Sequence, residues 1–127
     1  MKTDKRYEIT VEPEVRYLPE QSDEVAGRYV FAYTITIRNT GTEPAQLISR
    51  HWVITDAEGR VQEVRGLGVV GEQPHLAPGG VHRYTSGTAI ATPVGTMSGS
   101  YQMVADDGTR FEAPIPAFTL SVPRVLH

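Results

Sequence analysis

The sequence predicts an all-β domain, an antiparallel sandwich of about seven to eight short strands, and three observations carry that prediction. Tyr29, Phe31, Tyr33, Ile35 and Ile37 alternate with Val30, Ala32, Thr34, Thr36 and Arg38 across Arg28 to Asn39, the period of a strand with one buried face. Turn-forming clusters recur at short intervals, at Asn39 to Pro44, Asp56 to Gly59, Pro78 to Gly80, Pro93 to Gly95 and Asp106 to Gly108, where glycine can take positive φ and proline fixes its own. Finally, 12 Gly and 9 Pro in 127 residues interrupt every stretch long enough to sustain a helical stripe. The pattern suits the immunoglobulin or fibronectin type III class, with a small barrel as the structural alternative.

Element by element, Tyr7 to Glu12 and Val15 to Leu18 read as short strands before the segment Arg28 to Asn39. β-branched and aromatic residues favour that segment's extended state because their stiff side chains pack well on a half-buried pleat. Gln46 to Thr55 places Ile48, Trp52 and Ile54 on one face and Leu47, Ser49, His51 and Val53 on the other. Both faces are partly apolar, so this strand reads as central. Arg60 to Arg65 reads as its antiparallel return, followed by Val81 to Ser86, Met97 to Ala105, Arg110 to Ala113 and Phe118 to Val122.

The length fits one domain, 1–127, with an ordered core over about 7–122 and frayed ends that include Arg124 to His127. With no cysteine, neither a disulfide nor a thiolate metal site can form. The opening MKTDKRYEIT has no apolar stretch behind its basic residues, and nothing later approaches the roughly 20 apolar residues of a bilayer span. The expected location is therefore the cytoplasm, with no membrane contact. A net charge of −3 with interspersed signs offers no broad basic surface for a nucleic-acid backbone.

One motif invites a specific chemistry. Arg65-Gly66-Leu67-Gly68-Val69-Val70-Gly71 contains G-x-G-x-x-G, which in a dinucleotide fold turns tightly beneath a pyrophosphate at a helix N-terminus. Here Glu72 to Gly80 follows with two prolines and two glycines, which break any helix. Two compatible readings remain. In one the glycines permit bulges and left-handed backbone while Val69 and Val70 plug the end of the sandwich; in the other, exposed N–H groups form an anion nest aided by Arg65 and Arg83.

The four histidines, His51, His75, His82 and His127, show no metal-ligand spacing, and no metal or cofactor is expected. His75 and His82 flank a turn and read as solvated. Ser86 and Ser98 lack a nucleophile-elbow signature, and the carboxylates sit mostly in turns, so no catalytic set is assigned. Arg50, inside an apolar strand beside His51 and Trp52, is the charged residue expected to have a specific partner. Arg50 and Trp52 are therefore candidate interaction residues, and Arg65, Gly66, Gly68, Val69, Val70, Gly71, Arg83, Tyr84 and Ser86 are candidate ligand-binding residues.

Several stretches in one order resemble the bacterial ApaG family: Arg65 to Pro74, Tyr84-Thr85-Ser86-Gly87, Thr92-Pro93, Gly95 to Met103, Arg28 to Tyr33, Arg50-His51-Trp52, and Phe111 with Pro116-Ala117-Phe118. Gly80 departs from the acidic residue expected there. The resemblance implies a fibronectin type III-like sandwich and a non-enzymatic interaction module associated with cobalt resistance and magnesium efflux. Related domains in eukaryotic F-box proteins and in a protein that interacts with DNA polymerase delta favour a protein partner. The ligand would be that partner or a phosphate- or pyrophosphate-bearing molecule. An enzyme acting on phosphoanhydrides or nucleotides and a direct divalent-metal sensor are the alternatives, and the oligomeric state is left open.

Overall fold

The computed structural model describes residues 4–123 and shows two packed antiparallel sheets. The strands are β1 (Ile9–Tyr17), β2 (Tyr29–Asn39), β3 (Ala45–Asp56), β4 (Val61–Leu67), β5 (His75–Leu76), β6 (Val81–Ile90), β7 (Val94–Ala105) and β8 (Arg110–Ser121). The smaller sheet has the order β1-β2-β6; the larger runs β4-β3-β7-β8, with β5 pairing the start of β3. A single 3₁₀ turn, Pro19–Gln21, is the helical element among the described residues. The ends expected to fray, including His127, lie outside the described residues.

β2 follows its alternation: Phe31, Tyr33, Ile35 and Ile37 are buried. Two expected breaks do not occur. β1 runs unbroken through Pro13, and β8 runs through Pro114 and Pro116. Both strands lie at sheet edges, where a residue without an N–H removes no ladder bond if it faces outward. β6 continues four residues beyond Ser86 to Ile90.

β3 corrects the facial assignment. Its register against β7 shifts between Leu47 and Ser49, a bulge that resets the inward-outward parity. Leu47 and Trp52, an odd number of positions apart, are consequently both buried at 0% and 2% exposure, while Ile48 leaves the face expected for it and is half-buried. Trp52 packs its ring against Tyr33, Tyr101 and Phe118, with centroids 5.3, 6.4 and 6.0 Å away. This aromatic cluster forms the middle of the core.

Two buried polar features join the layers. The Asn39 side chain donates to Glu43 O and Leu76 O and accepts from Gly41 N, each at 2.9 Å. It thereby ties the turn leaving β2 to β5. Tyr84, on β6, and Tyr101, on β7, share a buried hydroxyl–hydroxyl bond between the sheets. Burial pushes the Tyr84 hydroxyl up to about 12, opposed by its bond to Tyr101, and burial pushes Tyr101 up as well.

Replacement of Asn39 by Ala strands one donor and two acceptors in the interior and should cost about 2–4 kcal/mol in urea unfolding. The tyrosine pair makes stability sensitive to alkali. The unfolded chain ionises near 10.0 and the folded chain higher, so the unfolded state releases protons first as pH rises. The Tyr84 contribution is complete below pH 10 and is lost as pH rises through about 12, while that of Tyr101, raised further by burial, persists to higher pH. The doubly substituted Tyr84→Phe/Tyr101→Phe protein should show a flatter alkaline fall in melting temperature.

Candidate functional site

The glycine motif begins inside β4 and ends in a tight turn. Reciprocal bonds join Val69 and Glu72, with Val69 N–H donating to Glu72 O at 2.8 Å and Glu72 N–H donating to Val69 O at 3.0 Å. Val70 and Gly71 occupy the corner with φ values of 47° and 77°, both left-handed, as a two-residue type I′ hairpin demands. The chain then turns to β5 rather than into a helix. Among the described residues no helix follows Gly71, so the motif lacks the helix N-terminus on which the nucleotide-binding form of G-x-G-x-x-G depends.

The loop is clamped onto the bulge in β3. The Ile48 carbonyl accepts from Gly68 N–H at 2.8 Å and from Gln73 Nε2 at 2.9 Å, while Leu47 N–H donates to Pro74 O at 3.0 Å. Arg50 completes the clamp. Its Nη1 donates to Leu67 O and Gly68 O at 3.0 and 2.9 Å, and its guanidinium lies flat over Gly66. A Cβ at that position would come within 2.8 to 2.9 Å of three guanidinium atoms. The reason is the register: Arg50 stands opposite both Gly66 and the buried Tyr101, so its side chain emerges on the inner face.

Val69 plugs the end of the core at 0% exposure, as expected. Val70 does not: it is 62% exposed at the tip. The N–H groups of Gly68, Val69 and Glu72 are all donated within the chain, so an anion would find few of the donors a nest requires. Leu67, a residue the sequence reading passed over, is 74% exposed beside the turn. The signal available for it was an apolar residue at an outward position of a short return strand.

Other candidates disperse. Arg83 stands opposite Thr36, on the outer face of the smaller sheet, with Nη2 3.6 Å from Glu14 Oε1; it does not join the loop. Tyr84 and Trp52 are core residues, which corrects the assignment of Trp52 to an interaction surface: its ring is enclosed by aromatics. Arg65 is exposed and lies 3.5 Å from Glu63. Arg50 and Ser86 do converge, on a narrow cleft of about 190 Å³ between β4 and β6 that Val64 and Thr88 also line.

Among the described residues no three His, Cys, Asp or Glu side chains gather. His75 bonds Asp106 and His51 bonds Glu63, at 2.7 and 2.8 Å, while His82 stacks on Tyr84. Among the described residues no helix is long and apolar enough to cross a membrane.

Against known proteins, the family model described as the ApaG domain matches residues 19–105. The chain belongs to the ApaG family. Protein ApaG of Nitrosospira multiformis is 72% identical over 123 residues, covering 97% of each chain. A crystal structure described as that of the ApaA protein from Bordetella pertussis is 58% identical with a TM-score of 0.92, over 97% of this chain and 100% of that one. The C-terminal domain of wzt, at 10% identity and a TM-score of 0.53 over 93% of this chain and 75% of that one, shares the fold alone. In this ApaG chain the matched segment contains the bulge, the clamp and the turn.

The clamp predicts coupling. Arg50→Ala and Gly66→Ala each remove the same guanidinium contact and should each cost about 1–3 kcal/mol in denaturant unfolding. The double variant should cost little more than either single one, since both changes abolish one interaction. Amide exchange at Gly68 and Val69 should accelerate in all three.

Proposed function

We propose that this ApaG chain is a non-enzymatic binding module whose contact point for a protein partner is the tip of the clamped turn, centred on Val70. The carrying observation is Val70 itself. A β-branched residue at φ 47° with 62% exposure is unfavourable for backbone and solvation together. The left-handed backbone costs stability at a β-branched residue, and a contact made by the exposed side chain is a reason to retain it. Arg50, Val69 and Gln73 fix the stem, which lowers the ordering cost a mobile loop would add on association. Leu67 extends the apolar contact.

The association with cobalt resistance and magnesium efflux that the family resemblance implies is read as indirect, through the partner, because the side chains gather no cation site among the described residues. A phosphate-bearing ligand is the competing occupant of the same loop. Phosphoanhydride chemistry has the weakest support, since no three His, Cys, Asp or Glu side chains gather among the described residues.

Val70→Gly should raise stability by about 1 kcal/mol by relieving the left-handed strain. A photo-crosslinking residue at position 70 should label discrete polypeptides in a bacterial lysate, whereas the same residue at the exposed Val94 should not. Equal labelling at both positions would overturn the reading. Backbone amide shifts confined to Gly66 through Gly71 on adding pyrophosphate would transfer the site to a phosphate ligand.

A further inference from the structure

β4 is an edge strand whose backbone and side chains are complementary to themselves. In an antiparallel ladder, bonded pairs recur at every second residue. Asp56 N–H donates to Arg60 O at one end of the β3–β4 ladder and Gly68 N–H donates to Ile48 O at the other. Between them Gln62, Val64 and Gly66 are the residues that bond to β3, by the observed register. Val61, Glu63, Arg65 and Leu67 therefore turn their N–H and C=O groups toward the open side, where Arg50 reaches the Leu67 carbonyl and the other groups face outward.

Along that open side the side chains read Val, Glu, Arg, Leu. Reversed about Val64, the pattern meets its own complement. Val61 comes opposite Leu67 of a second copy, Glu63 opposite Arg65, Arg65 opposite Glu63 and Leu67 opposite Val61. Each of these is solvent-facing in the single chain: Val61 is 58% and Leu67 74% exposed, and the Glu63 and Arg65 side chains are 54% and 72% exposed. Val64, 39% exposed, meets its own counterpart on the other face. All three exposed apolar residues of β4 gain an apolar neighbour, and both charges gain an opposite one.

The other edges lack this property. β1 contains Pro13, and β8 contains Pro114 and Pro116, residues that blunt an edge because they have no N–H. β6 contains Arg83 and no acidic residue, so antiparallel copies of it offer that charge no counterpart. β4 contains neither proline nor an unmatched charge.

We propose that two copies of this chain pair through β4, antiparallel and centred on Val64, so that their larger sheets join into one continuous sheet. The relation is a two-fold one, with the same residues contributed by each copy. The Val69–Glu72 turn lies beyond the paired strand, so pairing leaves Val70 accessible to a partner but takes Leu67, at the end of β4, into the dimer. A contact confined to one strand pair is smaller than a standard interface, and the dimer forms in a concentration-dependent way.

Charge reversal and crosslinking test it together, with circular dichroism confirming that each variant is folded. Glu63→Arg and Arg65→Glu each place like charges opposite one another twice, and each should weaken the dimer about tenfold or more in sedimentation equilibrium. The combined Glu63→Arg/Arg65→Glu protein should recover it. A wild-type chain that stays monomeric across the concentration range, single reversals without effect, or a double reversal that fails to recover would each overturn the proposal. Because the chain has no cysteine, Val64→Cys introduces a lone thiol. Facing residues that do not bond through their backbones stand about 4.5 Å apart between Cα atoms, within disulfide reach. Oxidised glutathione should therefore link Val64→Cys chains far faster than Val94→Cys chains; equal rates would overturn the register.

Discussion

Strand pairing with a period of two fixes which side chains face inward unless a residue is inserted, and β3 inserts one at Ile48. The shift brings Leu47 and Trp52 into the same core and puts Arg50 on the inner face beside Tyr101. From there the guanidinium can reach the carbonyls of Leu67 and Gly68. The bulge also presents the Ile48 carbonyl to Gly68 and Gln73. Core packing, the glycine motif and the shape of the candidate surface thus descend from one local irregularity, consistent with the tendency of bulges to re-aim side chains near functional sites.

The glycine motif consequently has a mechanical meaning. Gly66 leaves room for the Arg50 guanidinium where a Cβ would otherwise stand, and Gly68 has a left-handed φ of 65° at a place where a Cβ would strike the Glu72 carbonyl oxygen. A half-buried guanidinium is tolerable here because carbonyl dipoles receive it. What such a frame exposes is a short apolar tip, Val70, on a hydrogen-bonded stem.

Much of this was legible in the residues alone. The alternation of β2 was unambiguous, and the absence of a helix after Gly71 followed from Pro74, Pro78, Gly79 and Gly80. The bulge left no mark, since Leu47-Ile48-Ser49 contains neither glycine nor proline to announce it. Pro13, Pro114 and Pro116 suggested breaks because their tolerance depends on edge placement, a property of the assembled sheet. Val69 and Val70 are the same residue side by side, and only the pairing of Val69 with Glu72 reveals which turns inward. Arg83 and Tyr84 are likewise adjacent in sequence yet on opposite faces, so nearness along the chain misplaced Arg83 beside the loop.

The order of the larger sheet also bears on how the chain is made. β3 pairs with β4 immediately, but its other neighbour, β7, is synthesised some forty residues later, and β7 in turn lies open until β8 arrives. Contacts so distant in sequence slow folding and expose unpaired strands meanwhile. Closure of the larger sheet on a ribosome must therefore wait until β8 has cleared the exit tunnel, and β7 stays short of a neighbour until then.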